Sequence, residues 1–462
     1  MKSSWLDVAG RRGLRFAAGV LCLAIVGGRW IEAAEAAPKL VLKKGARVAI
    51  VGDSITEQKL YSRYMEDYLL MCVPELELRV CQFGWGGERA SGFALRMDND
   101  LMPFKPDVVT TCYGMNDGSY VAYNDTIGKA YRDPMKDIVS RLKKAGAIVV
   151  VGSPGAVDSY YFNRVRQGQP GATTPKDYND NLAKLRDIAQ EVAKEFDMPF
   201  ANVHDPLMQV MEKAKAKDKF GEAFDVCGMD GVHPNANGHL VMAYAFLKAM
   251  GLDGTIGTIT VDLKGQTTVS DGHKLVSSEQ GKIEVESTRY PFCCFGDPRS
   301  PASPRSILPL LPFNEDLNRF TLIVKNADRD KVSVTWGAGT KEFTRQELEQ
   351  GINLAAEFPD NPFAEQFRRV DELVARKQLY ETTMIKGVVT NLRPARTVLA
   401  GDAEVQTAVD VIVKKLFAKD EAMHQEVRAA ITPVRHTIVI AAPPAAAAPA
   451  TAPAAQPANP AK

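Results

Sequence analysis

Between residues 39 and 250, apolar strand-like segments alternate with amphipathic helix-like segments, and this alternation limits the folds open to the chain. The strand-like segments are rich in β-branched residues, which is typical of buried parallel strands. Right-handed crossovers between such elements produce a parallel sheet with helices on both faces. The predicted strands are 48–51, 78–83, 108–112, 148–151 and 200–203, and the predicted helices are 58–71, 134–145, 177–196 and 235–250.

The first predicted strand ends in a Gly-Asp-Ser turn that leads into a helix-like segment, and the serine is Ser54. In parallel sheets the functional crevice lies beyond the carboxyl ends of the strands. Backbone N–H groups at the start of a helix favour developing negative charge there. Ser54 is therefore a candidate nucleophile, although a serine at this position is also a good helix N-cap.

Other polar or glycine-rich turns follow later strands or precede the last helix. A loop with glycines at 84, 86 and 87 offers free N–H groups or is simply a turn. Asn116 suits either an oxyanion contact or an Asx-turn. Asp230 precedes His233 by three residues, so its carboxylate can accept a hydrogen bond from one ring nitrogen while the other faces the crevice. An incidental pairing within the loop is the alternative.

Together these segments resemble the SGNH hydrolase superfamily, also called GDSL-type esterases and lipases. The resemblance implies a flavodoxin-like three-layer α/β/α fold and a catalytic triad of Ser54, Asp230 and His233. The second block departs from the family pattern, because Gln82 and Glu88 stand where Asn and Asp are frequent. The matching blocks are Gly52-Asp53-Ser54, the loop 84–87, Gly114-Met115-Asn116-Asp117 and Asp230-Gly231-Val232-His233-Pro234.

The same resemblance implies an oxyanion hole and a metal-free mechanism. Its donors would be the N–H of Ser54, the N–H of Gly87 and the side-chain amide of Asn116, with Gly84 as the alternative to Gly87. The implied chemistry, acyl transfer through an acyl-serine, needs no cofactor and no metal. The seven cysteines also lack the spacing of a zinc site.

Composition narrows the class of partner. The chain has a net charge of +1, with 45% hydrophobic and 24% charged residues, which is an ordinary globular composition. Such a balance does not indicate a nucleic-acid partner or a strongly charged membrane surface. The family resemblance implies that the partner is a small-molecule or polysaccharide acyl ester.

Residues 1–37 have the layout of a secretory signal peptide. Arg11, Arg12 and Arg15 precede an apolar run at 16–27, and small residues follow at 33–37. The apolar run is short for a membrane anchor. We therefore predict export to the periplasm or the medium, with no stable membrane insertion after cleavage.

The remaining sequence is divided by composition into a catalytic domain at 38–252, an accessory region at 253–440 and a tail. The accessory pattern predicts strands at 258–263, 282–286, 320–324, 331–336 and 437–440, and helices at 344–358 and 362–377. It either binds substrate or supports the first domain. The tail at 441–462 is nearly all Ala and Pro, so we predict disorder.

The sequence thus predicts an exported serine esterase. Export and an added region suit deacetylation of a carbohydrate, and the sequence has no long apolar lid of the kind expected in a lipase. Lysophospholipase or thioesterase activity, acyl transfer to a hydroxyl acceptor, and non-catalytic glycan binding remain as alternatives, because fold does not determine function.

Overall fold

The computed structural model describes residues 39–166, 173–216 and 221–443. The first half of the chain is built around a five-stranded parallel sheet in the order β2-β1-β3-β4-β5, the order of flavodoxin-like folds. The predicted three-layer α/β/α fold is confirmed. The strands are β1 (Arg47–Gly52), β2 (Arg79–Gln82), β3 (Val108–Cys112), β4 (Ile148–Gly152) and β5 (Phe200–Ala201).

Helices cover the two faces of this sheet, and the interiors of β1 to β4 are buried. Because β1 lies between β2 and β3, the turn that follows it opens in the middle of the sheet edge. The helices are α1 (Ser54–Glu57), α2 (Tyr61–Asp67), α3 (Ala90–Asp100), α4 (Asp125–Lys144), α5 (Ser159–Arg166), α6 (Pro175–Glu195), α7 (His204–Ala216) and α8 (Ala236–Ala249).

Two of the helix predictions differ from the structure in this half. The predicted helix at 58–71 is interrupted, because Lys59 has a φ of 60°, and α2 begins only at Tyr61 before continuing as a π-helical turn. The predicted helix at 134–145 begins earlier, at Asp125, because the Asn124 side chain accepts a hydrogen bond from the N–H of Ile127. Pro134 therefore lies inside α4 instead of at its start.

The C-terminal region contains two further sheets, in the orders β13-β10-β6-β7 and β12-β11-β14-β9-β8. Their strands are β6 (Thr255–Asp262), β7 (Thr267–Val269), β8 (His273–Glu279), β9 (Lys282–Ser287), β10 (Arg319–Lys325), β11 (Lys331–Trp336), β12 (Gly339–Thr344), β13 (Ile352–Asn353) and β14 (Val434–Ala441). The expected strand at 437–440 is part of β14, which pairs antiparallel with β9 and β11.

The single helix predicted at 344–358 is wrong. Gly351 has a φ of 99°, a conformation that favours glycine, and it ends the first helix there. The sequence pattern also did not predict the long helix α14 (Ala403–Ala430). The helices of this region are α9 (Phe313–Leu317), α10 (Arg345–Gln350), α11 (Leu354–Glu357), α12 (Ala364–Thr382), α13 (Arg393–Val398) and α14 (Ala403–Ala430).

The C-terminal region packs directly on the first half of the chain, and the two halves share hydrophobic clusters. At this contact the buried Lys377 on α12 donates to Glu66 Oε1 at 2.9 Å, to the Val80 carbonyl at 2.7 Å and to Glu381. The backbone N–H of Gln82 donates to Glu381 Oε2 at 2.9 Å. Removing one partner from such a buried ion network typically costs about 3–5 kcal/mol. The division at residue 252 stays a prediction.

Other expectations concern the ends of the chain and the cysteines. The predicted signal peptide at 1–37 and residues 444–462 of the predicted tail lie outside the described residues, whereas Ala441, also predicted to be disordered, is the last residue of β14. Across 39–166, 173–216 and 221–443, no helix combines the length and apolar character that a membrane span requires. The cysteines in these ranges are free and buried, including Cys81 in β2 and Cys112 in β3.

Candidate active site

Ser54 lies on the turn between β1 and α1, at the carboxyl edge of the parallel sheet. Its Oγ is 2.8 Å from Nε2 of His233. Asp53, and not Ser54, caps α1, because Asp53 Oδ1 accepts a hydrogen bond from the N–H of Ile55 at 3.0 Å. The alternative that Ser54 serves as the N-cap is therefore wrong, and its hydroxyl is available to the histidine.

The turn before Ser54 is tight enough to require glycine. A Cβ on Gly52 would lie 2.1 Å from Thr56 Oγ1 and 2.8 Å from the carbonyl oxygen of Cys112. A larger residue would therefore clash with both α1 and the backbone of β3. Gly52 thus brings the start of α1 close to the neighbouring strand end.

Asp230 and His233 lie together on the loop before α8. His233 Nδ1 is 2.6 Å from Asp230 Oδ2, while Asp230 Oδ1 accepts the N–H groups of Val232 at 2.8 Å and His233 at 2.9 Å. Gly228 closes this loop with a φ of 78°, and a Cβ there would lie 1.9 Å from the carbonyl oxygen of His233. The Asp230 carboxylate therefore fixes both the ring and the backbone that carries it.

These contacts set the charges of the pair. Partial burial opposes ionisation of Asp230, but hydrogen bonds from the ring and the backbone of His233 and from Val232 lower its pKa to about 2. The hydrogen bond to Asp230 raises the pKa of His233 above its ordinary value, despite partial burial. Asp230 is thus ionised at neutral pH and favours a proton on the imidazole.

The glycine loop after β2 presents one free N–H toward solvent. Gly84 is buried, and its N–H already donates to Gln82 Oε1 at 3.0 Å. Gly87 is exposed with a φ of 71°, and among residues 39–166, 173–216 and 221–443 its N–H has no hydrogen-bond partner. Gly87 is therefore the better placed of the two glycines to donate to an oxyanion.

Asn116 is half-buried on the loop after β3, and its Nδ2 donates to the carbonyl oxygen of Glu88 at 3.1 Å. This bond uses one of the two amide hydrogens, which leaves the second for a ligand. Asp117 stabilises the same loop by accepting the N–H groups of Gly114 and Ala90, and burial raises its pKa to about 6. The three predicted donors thus lie on three loops of one sheet edge.

A contact that the sequence did not suggest connects the glycine loop to the C-terminal region. Glu57, at the end of α1, accepts the N–H of Gly86, and its other oxygen is 2.6 Å from Nζ of Lys386. The same ammonium lies 4.9 Å from the centre of the Trp85 ring. Lys386, in the π-helical segment Thr383–Val389 after α12, therefore contacts both the loop and the helix that carries Ser54.

The cleft around Ser54 has a volume of about 490 Å³. Lys59 lies at the edge of the cleft, and its backbone has a left-handed conformation. Its Nζ donates to the Glu57 carbonyl at 2.6 Å. Burial lowers the pKa of Lys59. The residues that line the cleft are Ser54, Glu57, Gln58, Lys59, Asp230 and His233.

Two further histidines, His204 and His239, have hydrogen-bond partners other than Ser54 and Asp230. His204 Nδ1 is 2.9 Å from Asp205 Oδ1, and the buried His239 bonds the N–H of Tyr61 and the side chain of Gln58. Burial lowers the pKa of His239 to about 3.

Within the described residues, one cluster of metal-ligating side chains is compact: Cys81, Glu381 and Asp420. Its carboxylates already pair with cations of the chain, Glu381 with Lys377 and Asp420 with Arg79 at 2.7 Å. The cluster therefore has the character of a buried ion network.

The first half of the chain is similar to known proteins. A model of the GDSL-like lipase/acylhydrolase family matches residues 50–241. An acetylxylan esterase from Geobacillus stearothermophilus is 21% identical over 230 residues, which cover 45% of this chain and 95% of that protein.

Solved structures extend the similarity beyond the first half of the chain. A gut microbial diltiazem-metabolizing enzyme is 22% identical, with a TM-score of 0.66 over 87% of this chain and 98% of its own. A variant of an acetylxylan esterase from Geobacillus stearothermophilus is 20% identical, with a TM-score of 0.36, and covers 46% of this chain and 96% of its own. The first of these shares the fold of both halves.

Proposed function

Because the chain is an ester-bond hydrolase of the SGNH superfamily, we propose that it is an exported serine esterase that deacetylates a carbohydrate. The hydrogen-bonded series Asp230–His233–Ser54 carries this proposal, with distances of 2.6 Å and 2.8 Å. Export is supported by the signal-like pattern at 1–37. Edman sequencing of the protein recovered from the periplasm or medium tests export. We expect the N-terminus of the recovered protein to lie beyond residue 30.

The proposed reaction proceeds in two steps. Ser54 Oγ attacks the ester carbonyl carbon while His233 Nε2 takes the hydroxyl proton, and His233 then gives that proton to the departing alcohol. Water next attacks the acyl-serine, with His233 again as the base, and the acid is released. Asp230 orients the imidazole and stabilises its charged form.

Negative charge that develops on the carbonyl oxygen requires donors in place beforehand. We assign this role to the N–H of Ser54, the N–H of Gly87 and the second amide hydrogen of Asn116. Glu57 fixes the adjacent Gly86, so the Gly87 donor is held by α1.

The proposed substrate class follows from the similarity to an acetylxylan esterase. The acetylxylan esterase that matches this chain acts on an acetylated polysaccharide by its name. A long-chain acyl ester, a thioester or transfer to a hydroxyl acceptor would use the same three side chains. Acetate release from acetylated xylan, beside p-nitrophenyl esters of two to twelve carbons, separates these possibilities.

We expect turnover of acetylated xylan and a steep fall in kcat/KM beyond the butyryl ester. Turnover that rises with chain length would favour a lipase-type enzyme over a deacetylase. Addition of a sugar acceptor separates hydrolysis from acyl transfer, because transfer yields an acetylated acceptor in place of free acetate. A correctly folded chain that cleaves none of these esters would contradict the proposed activity.

Replacing Asn116 by alanine is expected to lower kcat for p-nitrophenyl acetate by about 10²–10³, because one oxyanion donor is lost. Steady-state kinetics measure this change, and KM should move by only a few-fold. Asn124→Ala is the matched control, since it removes the N-cap of α4 and lowers stability without touching the site. An unchanged kcat in Asn116→Ala would remove Asn116 from the oxyanion hole.

Lys386→Met is expected to lower kcat by about tenfold with little change in KM. Without the Lys386 ammonium, the Glu57 carboxylate is no longer held in place, so the glycine loop that it positions through Gly86 becomes less well ordered. Lys386→Arg should restore most of the loss. The exposed Lys414 on α14 supplies the control, as Lys414→Met. Equal kcat in wild type and Lys386→Met would mean that the ion pair only stabilises the fold.

A further inference from the structure

A second cavity of about 490 Å³ lies between α2, α12 and the loop at 292–304. It begins at Leu60, next to Lys59 of the catalytic cleft, and it includes Ala236, three residues beyond His233. Arg63, Tyr64 and Asp67 of α2 form part of its wall, and the rest comes from the C-terminal region. We propose that this cavity binds the sugar of the ester substrate, which is a neutral polyhydroxylated ring. This proposal rests on the proposed deacetylation.

The deepest polar group of the cavity is Asp67 on α2. Its side chain is 1% exposed, and its carboxyl group shares a hydrogen bond with the carboxyl group of Asp371. Burial and the neighbouring Asp371 carboxyl raise its pKa well above the ordinary value. Asp67 and Asp371 are thus two adjacent carboxyl groups that share one proton, and the partly exposed Asp371 can accept a hydrogen bond from a ligand.

The other charged side chains of the lining balance one another. Arg63 Nε is 2.8 Å from Asp371 Oδ1, and Arg368 adds one positive charge against the negative charge of Glu372. Because Asp67 and Asp371 share one proton, they carry one negative charge between them, and the lining as a whole carries no net charge. A strongly cationic or anionic ligand would meet no compensating charge, whereas hydroxyl groups can bond both signs.

Aromatic rings form the opposite wall. Phe292 lies edge-on to Phe367 with ring centres 5.2 Å apart, and Phe295 lies 6.1 Å from Phe367. The guanidinium of Arg368 stacks on Phe295 at 4.6 Å. A cavity with an apolar aromatic wall and a few polar groups suits a ligand with an apolar face and a hydroxylated edge. A pyranose ring has this shape.

Binding can be measured without catalysis. We would titrate the full-length Ser54→Ala protein with unacetylated xylotriose and cellotriose by isothermal calorimetry. We expect saturable binding that weakens at least tenfold in Phe295→Ala and in Asp371→Asn, both on the Ser54→Ala background. Tyr123→Ala and Asp410→Asn are the matched controls, because both side chains lie outside the cavity and are exposed.

Each outcome decides something. Saturable binding lost in the cavity variants and kept in the controls supports the sugar site. Binding of tetramethylammonium or of sulfate in place of the sugars would overturn the neutral-ligand assignment. Esterase activity in the wild type without sugar binding would overturn the sugar site and leave the esterase proposal intact. Sugar binding without esterase activity would overturn the esterase proposal and leave the sugar site intact. Thermal unfolding of each variant identifies any change that merely reflects misfolding.

Discussion

Ser54→Ala is expected to lower kcat for p-nitrophenyl acetate by about 10⁴–10⁶, since loss of the nucleophile in a serine hydrolase removes nearly all of the chemical step. The Ser54 hydroxyl is the group that faces His233 Nε2, at 2.8 Å. Residual catalysis would come only from the oxyanion donors and from substrate binding. Steady-state kinetics measure the loss. Mass spectrometry after treatment with a fluorophosphonate should show a covalent adduct on the wild type and none on Ser54→Ala.

Ser159 supplies the matched control for this substitution. It is exposed at the start of α5, and its Oγ accepts a hydrogen bond from Lys215 Nζ at 3.0 Å. Ser159→Ala should keep wild-type kcat and the fluorophosphonate adduct. Full activity in a correctly folded Ser54→Ala protein would mean that the nucleophile lies on another residue.

The parts of the site that local sequence could predict are those that local geometry determines. A run of buried β-branched residues ending in Gly-Asp-Ser indicates a strand, a tight turn and a helix start, and β1, Gly52 and α1 follow that order. A His three residues after an Asp allows the hydrogen bond that Asp230 and His233 make. Because parallel strands end at one edge, loops far apart in sequence were expected to meet there.

The parts that were missed depend on partners far along the chain. Glu57 and Lys386 are 329 residues apart, and nothing near either residue indicates the other. The same holds for the cavity, whose wall combines α2 with the loop at 292–304 and α12. Periodicity reports which face of a helix is buried, but it does not identify the element that buries it.

In the structure, polar residues on a buried helix face mark the contact between the two halves of the chain. Lys377, Gln378 and Glu381 are buried and lie on one face of α12, although polar residues usually mark the solvent side of a helix. A polar stripe on a buried face needs partners, here Glu66 and Gln82. Such a stripe indicates a buried network, yet it leaves the choice of partners open.

Asp230→Asn is expected to lower kcat by about 10⁴, because the amide no longer holds the imidazole in the tautomer that accepts the Ser54 proton. The same substitution should also move the pH profile. The hydrogen bond to Asp230 raises the pKa of His233, so wild-type kcat/KM should rise with pH through an apparent pKa above about 6.5 and then level off.

The direction of that movement separates a catalytic pair from a structural one. Loss of the Asp230 carboxylate removes the interaction that favours the protonated ring, so the acid limb of the Asp230→Asn profile should lie at lower pH while its plateau falls. Asp205 provides a matched control, since its Oδ1 lies 2.9 Å from Nδ1 of His204, outside the cleft. Asp205→Asn should leave the limb in place. If Asp230→Asn also leaves it unmoved, His233 is not the group whose ionisation controls the rate.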